Sequence, residues 1–131
     1  MPKVEPVQYL ENEDVWLMSA KPDWHCEIII SGDAAGPAPP RLAFLHRIIS
    51  KLGDLEKQAA DYLDLFVDRH RFAKSEAWYL DSCELGRDPS TPASEFTLHF
   101  SLESDVYGGW TVTLQEHGTQ ICAVAFARQQ L

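Results

Sequence analysis

The sequence is short of almost every residue pattern that announces a chemistry. Three cysteines, an odd number, do not make a disulfide framework, and none belongs to a CxxC pair. No apolar stretch approaches the roughly 18 residues of a membrane helix; the densest cluster is Ile28-Ile29-Ile30. The start, Met1-Pro2-Lys3-Val4-Glu5, has neither the cationic opening nor the apolar core of a secretory signal. With the odd cysteine count, this makes a reducing cytoplasm the expected compartment. Basic residues are also scarce, 11 Lys and Arg against 20 Asp and Glu, for a net charge of −9. A surface this acidic repels phosphate, which argues against nucleic acid and against anionic lipid as partners.

What is present is an ordinary globular composition, 45% hydrophobic and 24% charged over 131 residues, the size of one domain. The acid is unevenly placed. Residues 1–33 carry two basic and seven acidic side chains. Residues 41–74 carry seven basic and five acidic, and residues 75–116 one basic and eight acidic. The middle is mildly basic and the flanks hold the acid. Such a distribution either keeps a surface solvated or steers a basic protein partner.

Periodicity divides the chain. The first dozen residues, rich in Glu and Pro, read as an extended or flexible arm. Val15–Met18 and Cys26–Ile30 are short β-type runs around the turn chemistry of Lys21-Pro22-Asp23-Trp24. Ser31–Pro40 is a break whose prolines can start a helix. From Arg41, the positions Leu45, Ile48, Ile49, Leu52, Leu55, Ala59, Tyr62, Leu63, Phe66 and His70 keep a three-four rhythm. One straight helix over 41–72 would be about 48 Å long, against a domain diameter near 36 Å. A kink at Gly53-Asp54 resolves the conflict. After Lys74 the period becomes two. Glu76–Cys83 reads as a strand, and Phe96, Leu98, Phe100 and Leu102 alternate with polar residues. Trp110, Val112 and Leu114 follow the same pattern, and a turn at His117-Gly118-Thr119 leads into Ile121–Phe126. The expected fold is a single α+β domain, β-β-α-β-β-β-β: an antiparallel sheet of about five or six strands with one long, kinked helix packed on one face.

Chemistry is harder to find. His25 and Cys26 are adjacent, so on a strand they point to opposite faces. Cys83 and Cys122 fall inside strand patterns, where a free thiol behaves as a small hydrophobe. His70 ends the helix rhythm, where a cation suits the dipole; a pocket acid or base is the alternative. His99, with Thr97, Ser101 and Glu103 on its side of the strand, forms a polar patch of the kind wet sheet faces carry. His46 and His117 read as surface and turn residues. Asp54, Asp61, Asp64 and Asp68 make an acidic ridge on the helix. Seven-residue spacings put carboxylates about 10 Å apart, too far for one ion. Asp64 and Asp68, one turn apart, hold at best a weak surface cation, and a solvated ridge paired with Lys57 and Arg71 is the simpler reading. No catalytic residue, metal site or cofactor is assigned.

The aromatics are the remaining feature. There are four Trp and four Tyr. Adjacent Trp78 and Tyr79 must face opposite ways, so one of them lies outside the core. An aromatic exposed among acids near Tyr107 or Trp110, with Glu103 and Asp105 beside it, has the make-up of a protein-binding hot spot or of a sugar-stacking platform. The candidate binding residues are therefore Trp78, Tyr79, Tyr107, Trp110, Glu103 and Asp105.

The alternating run from Phe96, then Tyr107-Gly108-Gly109-Trp110-Thr111-Val112 and the hairpin into Val124-Ala125-Phe126-Ala127-Arg128, resembles the ends of small acidic bacterial α+β proteins of unknown function, some of them similar to immunity proteins of polymorphic toxin systems. The resemblance implies a cytoplasmic bacterial protein that works by binding, its acid directed at a basic toxin site; it carries no site residues across. Two functions follow as expectations: a non-enzymatic acidic domain that binds a basic protein, or a small-ligand or carbohydrate-binding domain, or modest enzyme, with a pocket between helix and sheet lined by Trp78, Tyr79, His70 and Cys83. A homodimer through the open edge of the last strand is compatible with either.

Overall fold

The computed structural model describes residues 3–21, 26–67, 77–86, 90–102 and 108–130. Its strands are β1 (Lys3–Leu10), β2 (Val15–Lys21), β3 (Glu27–Asp33), a two-residue β4 (Gly36–Pro37), β5 (Tyr79–Leu85), β6 (Glu95–Ser101), β7 (Gly108–His117) and β8 (Gln120–Gln130). Between β4 and β5 lie helices α1 (Pro39–Ile48) and α2 (Leu52–Phe66), joined by a 3-10 turn at Ile49–Lys51. The strands form one open sheet in the order β1-β2-β3-β5-β6-β7-β8, with β4 paired to β3. The fold is α+β, as expected, with seven strands on the main path and the short β4 beside them.

The extra strand on the main path, β1, comes from the segment expected to be an arm, and the short β4 falls within the expected break at Ser31–Pro40. β1 pairs with β2 along its length, interrupted by a bulge at Val7. Its Glu, Pro and Gln residues obscure any alternation, because an edge strand has little core to bury. Side chains at its far end hold it instead. The Tyr9 ring lies 5.2 Å from that of Trp16, and its hydroxyl donates to Asp14 Oδ1 at 2.8 Å. That bond raises the phenol's pKa above its ordinary value. It also holds Asp14 in a left-handed conformation, φ 51°, which Asp tolerates better than most residues.

The second correction concerns direction. β3 and β5 run parallel, Ile28 beside Cys83 and Ile30 beside Leu85, while every other pair on the path is antiparallel. The helical segment returns the chain to the end of the sheet where β3 began, so β5 must enter in the same sense.

Pro39 and Pro40 occupy the first helical positions, where no amide donor is needed. The α-helical run is interrupted, but at the 3-10 turn Ile49–Lys51, two residues before Gly53, where Lys51 sits at φ −105°, ψ 0°. Gly53 is an ordinary α2 residue, and α2 stops at Phe66 as Val67 turns extended. His70 lies outside the described residues. α1 presents Phe44, Leu45 and Ile48, and α2 presents Leu52, Leu55, Ala59 and Leu63, all buried. They meet Ile28 and Ile30 of β3, Leu80, Cys83 and Leu85 of β5, Phe96, Leu98 and Phe100 of β6, and Val112 and Leu114 of β7. The alternation in β6 and β7 thus selects the helix-covered face.

Arg41 at the start of α1 is the one charged residue that is buried among the described residues. It donates through Nη2 to the Thr91 carbonyl at 2.5 Å and through Nη1 to that of Pro92 at 3.5 Å, tying the helix start to the loop before β6. Gly86, at φ 76°, gives it room beyond the end of β5.

Candidate functional site

Helix α2 has two unlike flanks. The one towards β5 carries Glu56, Lys57, Asp61 and Asp64, and with Gly53, Ala60, Ala77 and Trp78 it encloses an open groove of about 320 Å³. Residues 57, 60, 61 and 64 line one side of the helix because they are three or four apart. Lys57 Nζ bonds to Asp61 Oδ2 at 2.8 Å, an exposed i,i+4 pair whose contact raises the lysine pKa. Among the described residues the groove lining holds three carboxylates and one ammonium. Trp78 forms its other wall, its indole N–H donating to Asp64 Oδ1 at 2.8 Å. Behind it the rings of Phe100 and Trp110 stand edge-on, at 6.4 and 6.1 Å. Trp78 therefore cannot swing inward, and its exposed part is a fixed aromatic wall.

Trp78 and Tyr79 do face opposite ways. Tyr79 is exposed and paired with Ser101 on the sheet face away from the helices. Trp110 is not the exposed aromatic expected from the sequence. It sits on the helix-covered face, buried, with the Arg128 guanidinium 4.6 Å above its ring. Its position in register with Phe100 turns it inward. The structure thus brings Trp78 and Trp110 together and places Tyr79 apart from them. Tyr107, Glu103 and Asp105 lie outside the described residues, as do His25 and Asp68. Among the described residues no three His, Cys, Asp or Glu side chains cluster in a way that would hold a metal ion.

The sheet face away from the helices holds the second polar constellation. Ser82 and Glu84 of β5 lie beside His99 and Thr97 of β6, which pair with Thr111 and Thr113 of β7. His99 Nε2 is 3.2 Å from Glu84 Oε2, with both side chains mostly covered. His99 does stand in a polar patch with Thr97, and its charged neighbour is Glu84, from the adjacent strand. Only the β5–β6 register shows this pairing; each residue by itself looks like any outward-facing strand position.

The expected pocket of Trp78, Tyr79, His70 and Cys83 is not assembled among its described members. Tyr79 is on the other face, and Cys83 is fully buried beneath the helices. Burial, more than the neighbouring Cys26 and Glu84, pushes the Cys83 thiol well above its ordinary pKa, so it stays protonated and inert. Cys26 is buried too, and Cys122 of β8 is half-buried. Alkylation of the folded protein should modify Cys122 first, with all three thiols reacting only after denaturation; mass spectrometry of a timed iodoacetamide reaction checks the order. Early labelling of Cys83 would mean that the helices do not cover it.

No helix is long and apolar enough to cross a membrane among the described residues. No family model, curated protein or solved structure matches this chain.

Proposed function

We propose that this domain binds a basic protein and receives a lysine or arginine of that partner in the groove between α2 and Ala77-Trp78, just before β5. The supporting observation is the juxtaposition of a fixed Trp78 wall with Glu56, Asp61 and Asp64. A guanidinium or ammonium entering there meets carboxylates on the helix side and an aromatic face on the other, and these two contacts reinforce each other. The chain's −9 charge would draw a cationic partner in from a distance. In the bacterial setting that the C-terminal resemblance implies, that partner would be a toxin with a basic site. Acid–base chemistry has less support in the groove, whose carboxylates stand on an exposed helix flank.

Titration with an arginine-rich peptide, followed by NMR, tests the reading. The Trp78 indole and the α2 amides from Gly53 to Asp64 should shift first, and the binding should weaken steeply with salt. The double substitution Asp61→Asn, Asp64→Asn removes two charges, while the amide oxygen then at position 64 can still accept the indole N–H. It should weaken binding about tenfold, since two partly exposed ion pairs are together worth roughly 1–2 kcal/mol. Shifts spread evenly over the acidic surface, equal in wild type and variant, would reject the groove as the site.

A further inference from the structure

The other flank of α2 carries a different kind of surface. Six large hydrophobic side chains are exposed among the described residues, and four of them, Leu65, Phe66, Val124 and Phe126, lie at the end of α2 and on β8. Phe66 and Phe126 stack at 4.7 Å with ring planes 18° apart, and Tyr62 stands edge-on to both. These rings already support one another, so little side-chain freedom is left to lose on binding. We propose that two copies of this chain associate here, packing their Phe66–Phe126 platforms together across a two-fold axis.

Charge selects the occupant. Every copy carries −9, so like copies repel wherever their acidic surfaces meet. From Gln120 to Gln130 the one charged residue is Arg128, and the α2 row beside the strand, Gln58, Tyr62 and Phe66, has no charge. Among the described residues this ground is poor in acid, with Asp61, one turn before Leu65, paired to Lys57; two such chains can touch here, whereas a cationic partner gains more at the groove on the opposite flank. The two edges of the sheet differ in the same sense. β1 carries Pro6, Glu5 and a bulge at Val7, all of which discourage pairing, while β8 presents eleven residues at the edge of the sheet. β8 has a bulge of its own at Val124, between the pairs Leu114–Ala123 and Thr113–Ala125. The contact is accordingly side chain on side chain, not a continuous ladder.

Light scattering on a sizing column tests this. The expected mass is twice the 14.8 kDa of the chain, falling towards one chain on dilution. Raising salt should strengthen association, because it screens the mutual repulsion; binding of a basic partner at the groove responds in the opposite direction, so the two proposals fail separately. Phe126→Glu should give the monomer mass with an unchanged circular dichroism spectrum. Leu65→Lys, at a side chain 76% exposed, leaves the core alone and makes the chain less negative, yet should still weaken the dimer at least tenfold. A mass of one chain at every concentration and salt, or a dimer indifferent to both substitutions, overturns the proposal.

Discussion

Gly86→Ala is expected to destabilise the protein by about 2–4 kcal/mol, far more than a glycine-to-alanine change at a loop position ordinarily costs. Two effects combine. Gly86 has φ 76°, a conformation that a side chain makes strained. A Cβ there would also fall 2.0 Å from Cζ of Arg41. The end of a surface arginine would simply move aside, but this one is buried and bonded to the Thr91 carbonyl, so moving it breaks a charge-assisted hydrogen bond. The clash can be isolated by pairing the substitution with Arg41→Met, which shortens the side chain and removes the guanidinium. The double variant should lose at least about 1 kcal/mol less than the sum of the two single losses in urea unfolding. Strict additivity would show that Gly86 is intolerant for its backbone angle alone.

Phe96→Ala should have the largest effect of any single truncation, a loss of about 3–5 kcal/mol. Phe96 is fully buried on β6, packed against Phe44 of α1 with ring centroids 5.7 Å apart. It is one of the rings through which the helix layer and the sheet hold each other. The surrounding strands are held by their ladders and cannot close the space, so the lost contacts are compounded by a cavity. Because domains of this size are stable by about 5–15 kcal/mol, much of the total is at stake. The melting temperature should fall by about 10–20 °C. A loss under about 1 kcal/mol would mean that α1 does not seat on β6 as described.

Residues whose surroundings lie within a few positions of them in sequence were the legible ones. The rhythm from Leu45 to Leu63 and the alternation Phe96-Leu98-Phe100 are local consequences of 3.6-residue and two-residue repeats against one buried layer. They located the helix, two central strands and the covered face. The prolines at the start of α1 and the turn at His117-Gly118-Thr119 were readable for the same reason. β1 was not, because its order comes from β2 and from Tyr9 reaching Trp16 and Asp14. Gly53-Asp54 is the usual sequence signal for a break, but the α-helical run is interrupted at the 3-10 turn Ile49–Lys51, and Gly53 lies inside α2.

The candidate site shows the same division. Trp78 is a conspicuous aromatic in the sequence, but its seating beside α2 depends on Asp64, which is fourteen residues away. Trp110 looked equally suitable, and only its register opposite Phe100 shows that it faces inward. Arg41 gave no signal at all, since an arginine at a helix start is normally solvated.

By itself, then, the sequence determined the acidic charge, the α+β class, the amphipathic helix and the inward faces of β6 and β7, all properties that a short stretch carries in its own spacing. The tertiary structure decided the parallel entry of β5, the incorporation of β1, the Glu84–His99 pairing and the separation of α2 into an acidic flank and an aromatic one. Each of these depends on which distant residues face one another, and that is fixed when the sheet and helices share a single core.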